Sequence, residues 1–258
     1  VKRGARELVL VAQDTALYGV DLYGRPRLHE LLDEIAAIDE LVWARVMYAY
    51  PEHITPETVE SIARNEKICN YLDIPVQHSH DAVLKRMGRK SNAQGLRGVI
   101  GELRNKIPGI SLRTTLIVGF PGETEEEFEH LRAFVQETQF ERLGVFEYSR
   151  EEDTPAAKMK YRVKVGVKRE RRDALMRLQQ EIHREKQRAL TGQDLRVMVD
   201  EAEGGDGVFL CRGRSYRDAY ETDAIVSFTA KGLLSPGDVA NVRITGYDDY
   251  DLSGFALE

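Results

Sequence analysis

Along the first 150 residues, apolar and polar positions alternate between two periods. Short runs rich in Val, Leu, Ile and aromatic residues are separated by stretches where apolar residues recur every three or four positions. The runs are "ELVLVAQD" (7–14), "WARVMYAYP" (43–51), "YLDIPVQHS" (71–79), "ISLRTTLIVGFPG" (110–122) and "ERLGVFEYS" (141–149). Each reads as a strand that ends in polar groups. The fourth is the strongest, since Leu112, Thr114, Thr115, Leu116, Ile117 and Val118 are nearly all apolar or β-branched, the pattern of a strand buried on both faces.

Helices fill the gaps. Leu28, Leu31, Leu32, Ile35 and Ile38 share one helical face, and Thr55 followed by Pro56 is a helix start. Residues 81–87 and 92–106 are helical, and 123–137 opens with Glu123, Glu125, Glu126 and Glu127, which suit the positive end of a helix dipole. Five strands separated by helices predict an α/β unit with right-handed crossovers, either an open doubly wound sheet or a partial (β/α) barrel. Chemistry is then expected at the C-terminal ends of the strands.

The period changes twice more. Between Lys158 and Arg188, 12 basic and 4 acidic residues accompany one narrow apolar stripe of Leu175, Leu178, Ile182 and Ala189. This predicts a long charged connecting helix over 165–190, either packed with a solvated outer face or turned toward RNA or the ribosome. From Gly192 on, "DLRVMVDE", "GVFLCRGR", "DAIVSFTAK" and "DVANVRITGYDDYDLSGFALE" are short alternating strands divided by Gly, Asp and Pro turns. They predict a second domain over 191–258, a small all-β barrel, after a first domain over 1–190.

Composition narrows the class. Of 258 residues, 42% are hydrophobic and 31% charged, as in a globular protein, and no run approaches the roughly 18 apolar residues of a membrane span. The net charge of -6 is uneven: residues 191–258 hold 13 acidic and 6 basic side chains, against 30 and 31 before them. Cys69 and Cys211 are the two cysteines, too few for a disulfide framework, a zinc site or a four-thiolate cluster, and they fit a reducing, cytoplasmic compartment.

Polar groups recur after all five strands: Gln13 and Asp14, then Tyr48, Tyr50 and His53, then Gln77, His78 and His80, then Gly119–Glu123, then Tyr148, Ser149 and Arg150. In a parallel sheet they converge on one mouth. "GFPGET" (119–124) lacks both the Lys-Ser/Thr of a phosphate loop and the Gly-x-Gly-x-x-Gly of a dinucleotide site, so it is either a tight turn or a ligand contact. Arg113 stands in an almost apolar strand and needs an anion, from Asp73 or from a ligand carboxylate. His78 and His80 lack a third ligand at matched reach, and no metal site made of protein side chains is expected.

The stretches 10–24 ("LVAQDTALYGVDLYG"), 46–55 ("VMYAYPEHIT"), 71–89 ("YLDIPVQHSHDAVLKRMGR"), 112–128 ("LRTTLIVGFPGETEEEF") and 141–157 ("ERLGVFEYSREEDTPAA") resemble the radical S-adenosylmethionine methylthiotransferase family. The tail resembles the TRAM domain, with Tyr220 and Ala224 standing where proline and glycine are expected. The resemblance implies a partial, TIM-like (β/α) barrel of the radical SAM type followed by a small β-barrel. It also implies S-adenosyl-L-methionine and two [4Fe–4S] clusters as cofactors of the whole protein, and a reductant protein as partner. By resemblance, Gln13, Asp14, Gln77, Arg113, Gly119 and Gly122 line the cofactor pocket, with Asp14 and Arg113 matched to a zwitterion. The implied chemistry is hydrogen abstraction by a cofactor-derived radical followed by sulfur insertion.

The branch with "DIPVQHS" and "AQDTALYG" acts on the β-carbon of an aspartate in a small-subunit ribosomal protein. That makes a basic protein the expected partner of the acidic tail, with RNA weak or secondary and no membrane. The alternatives are a methylthiotransferase acting on transfer RNA adenosine and a non-catalytic ribosome-binding scaffold. The family's Cys-x-x-x-Cys-x-x-Cys loop has no counterpart among these residues, so the expectation is a fragment without its cluster and without catalytic residues, inactive alone.

Overall fold

The computed structural model describes residues 4–205 and 207–257. Its first part is a five-stranded parallel sheet in the order β1-β2-β3-β4-β5, an open, partial barrel with helices on its outer face. The strands are β1 (Glu7–Leu10), β2 (Trp43–Val46), β3 (Ile68–Asp73), β4 (Ser111–Val118) and β5 (Arg142–Glu147). The helices are α1 (Val20–Tyr23), α2 (Leu28–Ala36), α3 (Pro56–Arg64), α4 (Asp81–Arg86), α5 (Ala93–Lys106), α6 (Glu125–Thr138) and α7 (Val165–Leu190).

Local chemistry starts the helices where the side chains supply caps. Thr55 accepts from Thr58 N ahead of Pro56, and Asn92 accepts from Gly95 N. Thr124 and Glu127 form a reciprocal capping box at α6. One main core joins the helices to the outward side chains of the sheet, including Leu72, Leu112, Leu116, Val118, Phe134 and Leu175.

Two expectations need correction. β4 is buried on one face only: Leu112, Thr114, Leu116 and Val118 are buried under helices, whereas Arg113, Thr115 and Ile117 are half-buried on the concave face. A run of β-branched and apolar residues satisfies both environments, because the wall of a partial barrel is apolar even where nothing covers it. On α7, Leu175 and Ile182 are buried but Ala189 is exposed, and the buried face continues through Gln179, His183, Gln187 and Leu190. Polar side chains carry that face because carbonyls of the sheet and of the second barrel meet it.

The second part is a closed five-stranded barrel in the order β10-β8-β7-β6-β9. Its strands are β6 (Asp194–Gly205), β7 (Val208–Ser215), β8 (Val226–Ala230), β9 (Val239–Tyr247) and β10 (Leu252–Ala256). β10 closes it, parallel to β8 and antiparallel to β9. Gly213 and Gly254 allow the tight closure, since a Cβ there would strike Met198 O and Arg243 O. A third, small core (Trp43, Met47, Cys69 and Tyr71 with Met198 and Ala219) joins the barrel to the concave side of the sheet.

Candidate functional site

The concave face has two unlike ends. At the N-terminal ends of the strands, the segment from Ser215 to Asp223 enters from the β-barrel and forms a floor. Arg45 is fully buried: its Nε donates to Glu7 at 3.0 Å, its Nη1 to Tyr216 O at 2.6 Å, and it lies over the Tyr71 ring. Arg214 pairs with Glu7 and Asp200, and Arg142 with Asp218. Asp223 accepts from Tyr71 Oη at 2.7 Å and lies 3.4 Å from Arg113 Nε, whose Nη1 donates to Asp73 at 3.1 Å. Burial pushes Asp73 above the ordinary carboxylate range against the pull of Arg113, and burial with Asp223 pushes the Tyr71 phenol well up.

At the C-terminal ends the wall is left uncovered. Val11 is 65% exposed, Phe146 62% and Tyr48 45%. Gln13 is exposed in the bend after β1. Asp14 caps the short turn Thr15–Leu17, accepting from Ala16 N at 3.2 Å, Tyr50 N at 3.1 Å and His53 Nδ1 at 2.5 Å. Gln77 adopts φ 65°, bridges to Leu116, and has a buried Oε1 without a partner.

The turn after β4 is held from behind. Gly119 has φ +71° and donates its N–H to Glu123 Oε2 at 2.9 Å, while Glu123 Oε1 takes Arg171 Nη1 at 2.7 Å. The stem of Lys168 fills the place where a Cβ at Gly119 would stand, and Lys168 Nζ donates to Tyr148 O at 2.7 Å. Gly122, at φ +78°, donates to Tyr161 O at 2.8 Å. Gly119 therefore lets α7 pack against the turn, and its N–H is already used.

Among the sequence-predicted residues, the structure brings Asp14 and Gln77 to the rim with Gly119 and Gly122, whereas Arg113 sits deeper. Arg113 is the third residue of β4 and is level with Asp73, about 16 Å of strand below Val118 at ~3.3 Å per residue. Asp14 and Arg113 do not pair: each has its own partners. The floor charges Glu7, Arg45, Arg142, Asp218 and Asp223 escaped sequence reasoning. Arg45 inside "WARV" and Arg142 at the head of "RLGVF" carried the same signal as Arg113, a cation in an apolar strand.

Among the described residues no group of three or more His, Cys, Asp or Glu is placed to hold a metal ion. Cys69 and Cys211 lie in separate cores, so they cannot share a cluster, and burial pushes the Cys69 thiol up to about 12.

The sequence matches the Radical SAM superfamily over residues 1–135 and the TRAM domain over residues 191–256. The chain belongs to the radical SAM superfamily. Its closed β-barrel is a TRAM domain, and the expected fold, a partial (β/α) barrel followed by a small β-barrel, is the one observed. The chain is 48% identical over 253 residues to the ribosomal protein uS12 methylthiotransferase RimO of Lachnoclostridium phytofermentans, covering 98% of this chain and 57% of the relative. It is 50% identical over 254 residues to the RimO of Thermoanaerobacter sp., and 49% identical over 254 residues to that of Geobacter sulfurreducens; these cover 98% of this chain and 57% and 56% of the relatives. The chain thus spans somewhat more than half the length of these relatives. No helix among the described residues is long and apolar enough to cross a membrane.

Proposed function

We propose that this chain is the cofactor-holding and TRAM portion of a methylthiotransferase that modifies an aspartate of the small-subunit ribosomal protein uS12. The observation that carries the reading is the 44–50% identity to RimO proteins through both domains, from the strand-end loops to the acidic β-barrel.

The uncovered mouth fits S-adenosyl-L-methionine in kind: an apolar wall for the nucleoside beside polar groups for the amino acid, with a Gln77 amide oxygen that lacks a partner. When bound and reduced, that cofactor supplies the hydrogen-abstracting chemistry of the family. In this reading Gln13, Asp14 and Gln77 orient it at the rim. Gly119 and Gly122 shape the turn that backs it, and Arg113 sets the charge beneath it. The described thiols, buried in separate cores, do not fit an iron–sulfur cluster.

The reading also takes a basic protein as substrate for the acidic TRAM barrel, with a reductant protein as second partner in a cytoplasmic setting. The longer protein containing this chain, given S-adenosyl-L-methionine, reductant and a sulfur source, is expected to add a methylthio group to an aspartate-containing peptide of the ribosomal protein, read by mass spectrometry. A gain on transfer RNA adenosine with none on the protein overturns the assignment. In the same protein Asp14→Asn is expected to weaken S-adenosyl-L-methionine binding by about 1–3 kcal/mol, the scale of a charge-assisted hydrogen bond. Unchanged affinity in a folded variant removes Asp14 from the site.

A further inference from the structure

Beside β5, where the sheet has no further strand, a cavity of about 350 Å³ opens between that strand, α7 and the TRAM barrel. Leu143, Gly144 and Met176 give it an apolar side. The guanidinium charges in its wall are already paired, Arg142 with Asp218 and Arg113 with Asp73 and Asp223. His183 is buried and held neutral by burial and by Arg142, below its ordinary range. Its Nδ1 accepts from Arg142 Nη1 at 2.9 Å and its Nε2 donates to Tyr250 O at 3.2 Å.

Apart from Arg142 Nε, a buried donor without a partner, what remains in the wall is acceptors. Gln179 is 4% exposed, donates its Nε2 to Phe140 O at 2.9 Å, and has an Oε1 with no partner. Asp251 takes Ile225 N at 2.9 Å and makes no ion pair among the described residues. The adjoining turn adds Asp248, which accepts from Tyr250 N and Asp251 N at 2.9 Å each and likewise makes no ion pair among the described residues. A buried acceptor without a donor is costly, so this part of the wall is better satisfied by a ligand that brings N–H groups and positive charge.

We propose that this seam cavity takes the cationic side chain, lysine or arginine, of a protein segment docking between α7 and the TRAM barrel. The aliphatic stem lies along Leu143, Gly144 and Met176, and the charged head reaches Gln179 Oε1 and Asp251. The proposal rests on the reading that the partner is a basic protein, and it adds the place where one basic side chain is read.

The test uses this chain, isotope-labelled, titrated with the blocked peptide Gly-Lys-Gly-Lys-Gly-Lys-Gly and with its norleucine counterpart, following the amide signals of Gly144, Thr222 and Asp251. The lysine peptide is expected to shift them and the norleucine peptide to leave them unmoved. Asp251→Asn, which keeps the acceptor for Ile225 N, is expected to weaken binding about tenfold. Gly144→Leu, whose Cβ meets only Phe146 at 3.9 Å, is expected to abolish it without lowering the melting temperature. Equal shifts with both peptides, or lysine-peptide binding that survives both folded variants, overturn the proposal. The ribosomal protein provides the second arm. If it binds and the variants change nothing, the cavity falls and the reading of the partner stands. If it fails to bind while the lysine peptide still does, the site stands and the partner reading falls.

Discussion

At the N-terminal ends of β1–β5, Glu7, Arg45, Arg113 and Arg142 each meet an opposite charge, and Arg113, Arg142 and Arg214 meet carboxylates of another element. At the C-terminal ends of the same strands, Val11, Tyr48 and Phe146 stand exposed and the Gln77 amide oxygen is left without a partner. One sheet therefore has a sealed floor and an open mouth. Burying a charge is costly unless it is paired, so the floor can be sealed only by a segment that brings anions at matching positions. Asp218 and Asp223 do this from the TRAM barrel. Among the described residues the mouth has no such segment over it, and its apolar wall stays exposed.

The largest effect is expected from breaking the floor. Asp218→Asn keeps the shape and the bond from Ser215 Oγ, but it leaves the Arg142 guanidinium buried without its anion. Urea unfolding is expected to show a loss of about 3–5 kcal/mol. The double variant with Arg142→Met should recover much of that loss. A loss under about 1 kcal/mol would mean that the floor is not held by matched charge.

A smaller effect separates the ends by pH. His78, just past β3, is buried, and burial pushes it down to about 3 from an ordinary 6.5. The unfolded chain therefore takes up the proton first. Stability from this group is held above pH 6.5 and lost as the pH falls toward 3, by about 2 kcal/mol between pH 6.5 and 5. His78→Asn can still accept from His80 N, as Nδ1 does at 3.0 Å, and should flatten that slope. A pH profile identical to the parent would show that His78 is hydrated in solution.

The smallest effect is expected at the open wall. Phe146→Ser should change stability by no more than about 0.5 kcal/mol, because the ring is 62% exposed. A loss above about 1.5 kcal/mol would mean that the mouth is covered by the chain itself, and the contrast between the two ends would fail.

Most of the local structure was legible in the sequence. Thr55–Pro56 and the acidic run Glu123–Glu127 announced two helices, four of the five apolar runs contain one parallel strand each, and the third overlaps β3 only at its end, since that strand begins at Ile68. Periodicity sufficed there because capping and amphipathicity act within a turn or two of the chain. It also separated the alternating strands after Gly192 from the β/α part, although the last stretch holds two strands, β9 and β10, divided by the turn around Asp248.

The partners of the buried charges were not legible in the same way. Asp73 was named as one candidate for Arg113, but Asp223, 110 positions away in the chain, could not be. Likewise the net acidity of the tail looked like free surface charge, whereas Asp200, Asp218 and Asp223 serve inside the molecule and Asp194 and Asp249 pair on its surface. The sequence by itself determined the elements, their order and the presence of buried cations that had to be paired, because those follow from neighbours along the chain. The tertiary structure alone decided which anion meets which cation, and which end of the sheet is closed. Such pairing depends on distances in space between segments that have no local pattern in common.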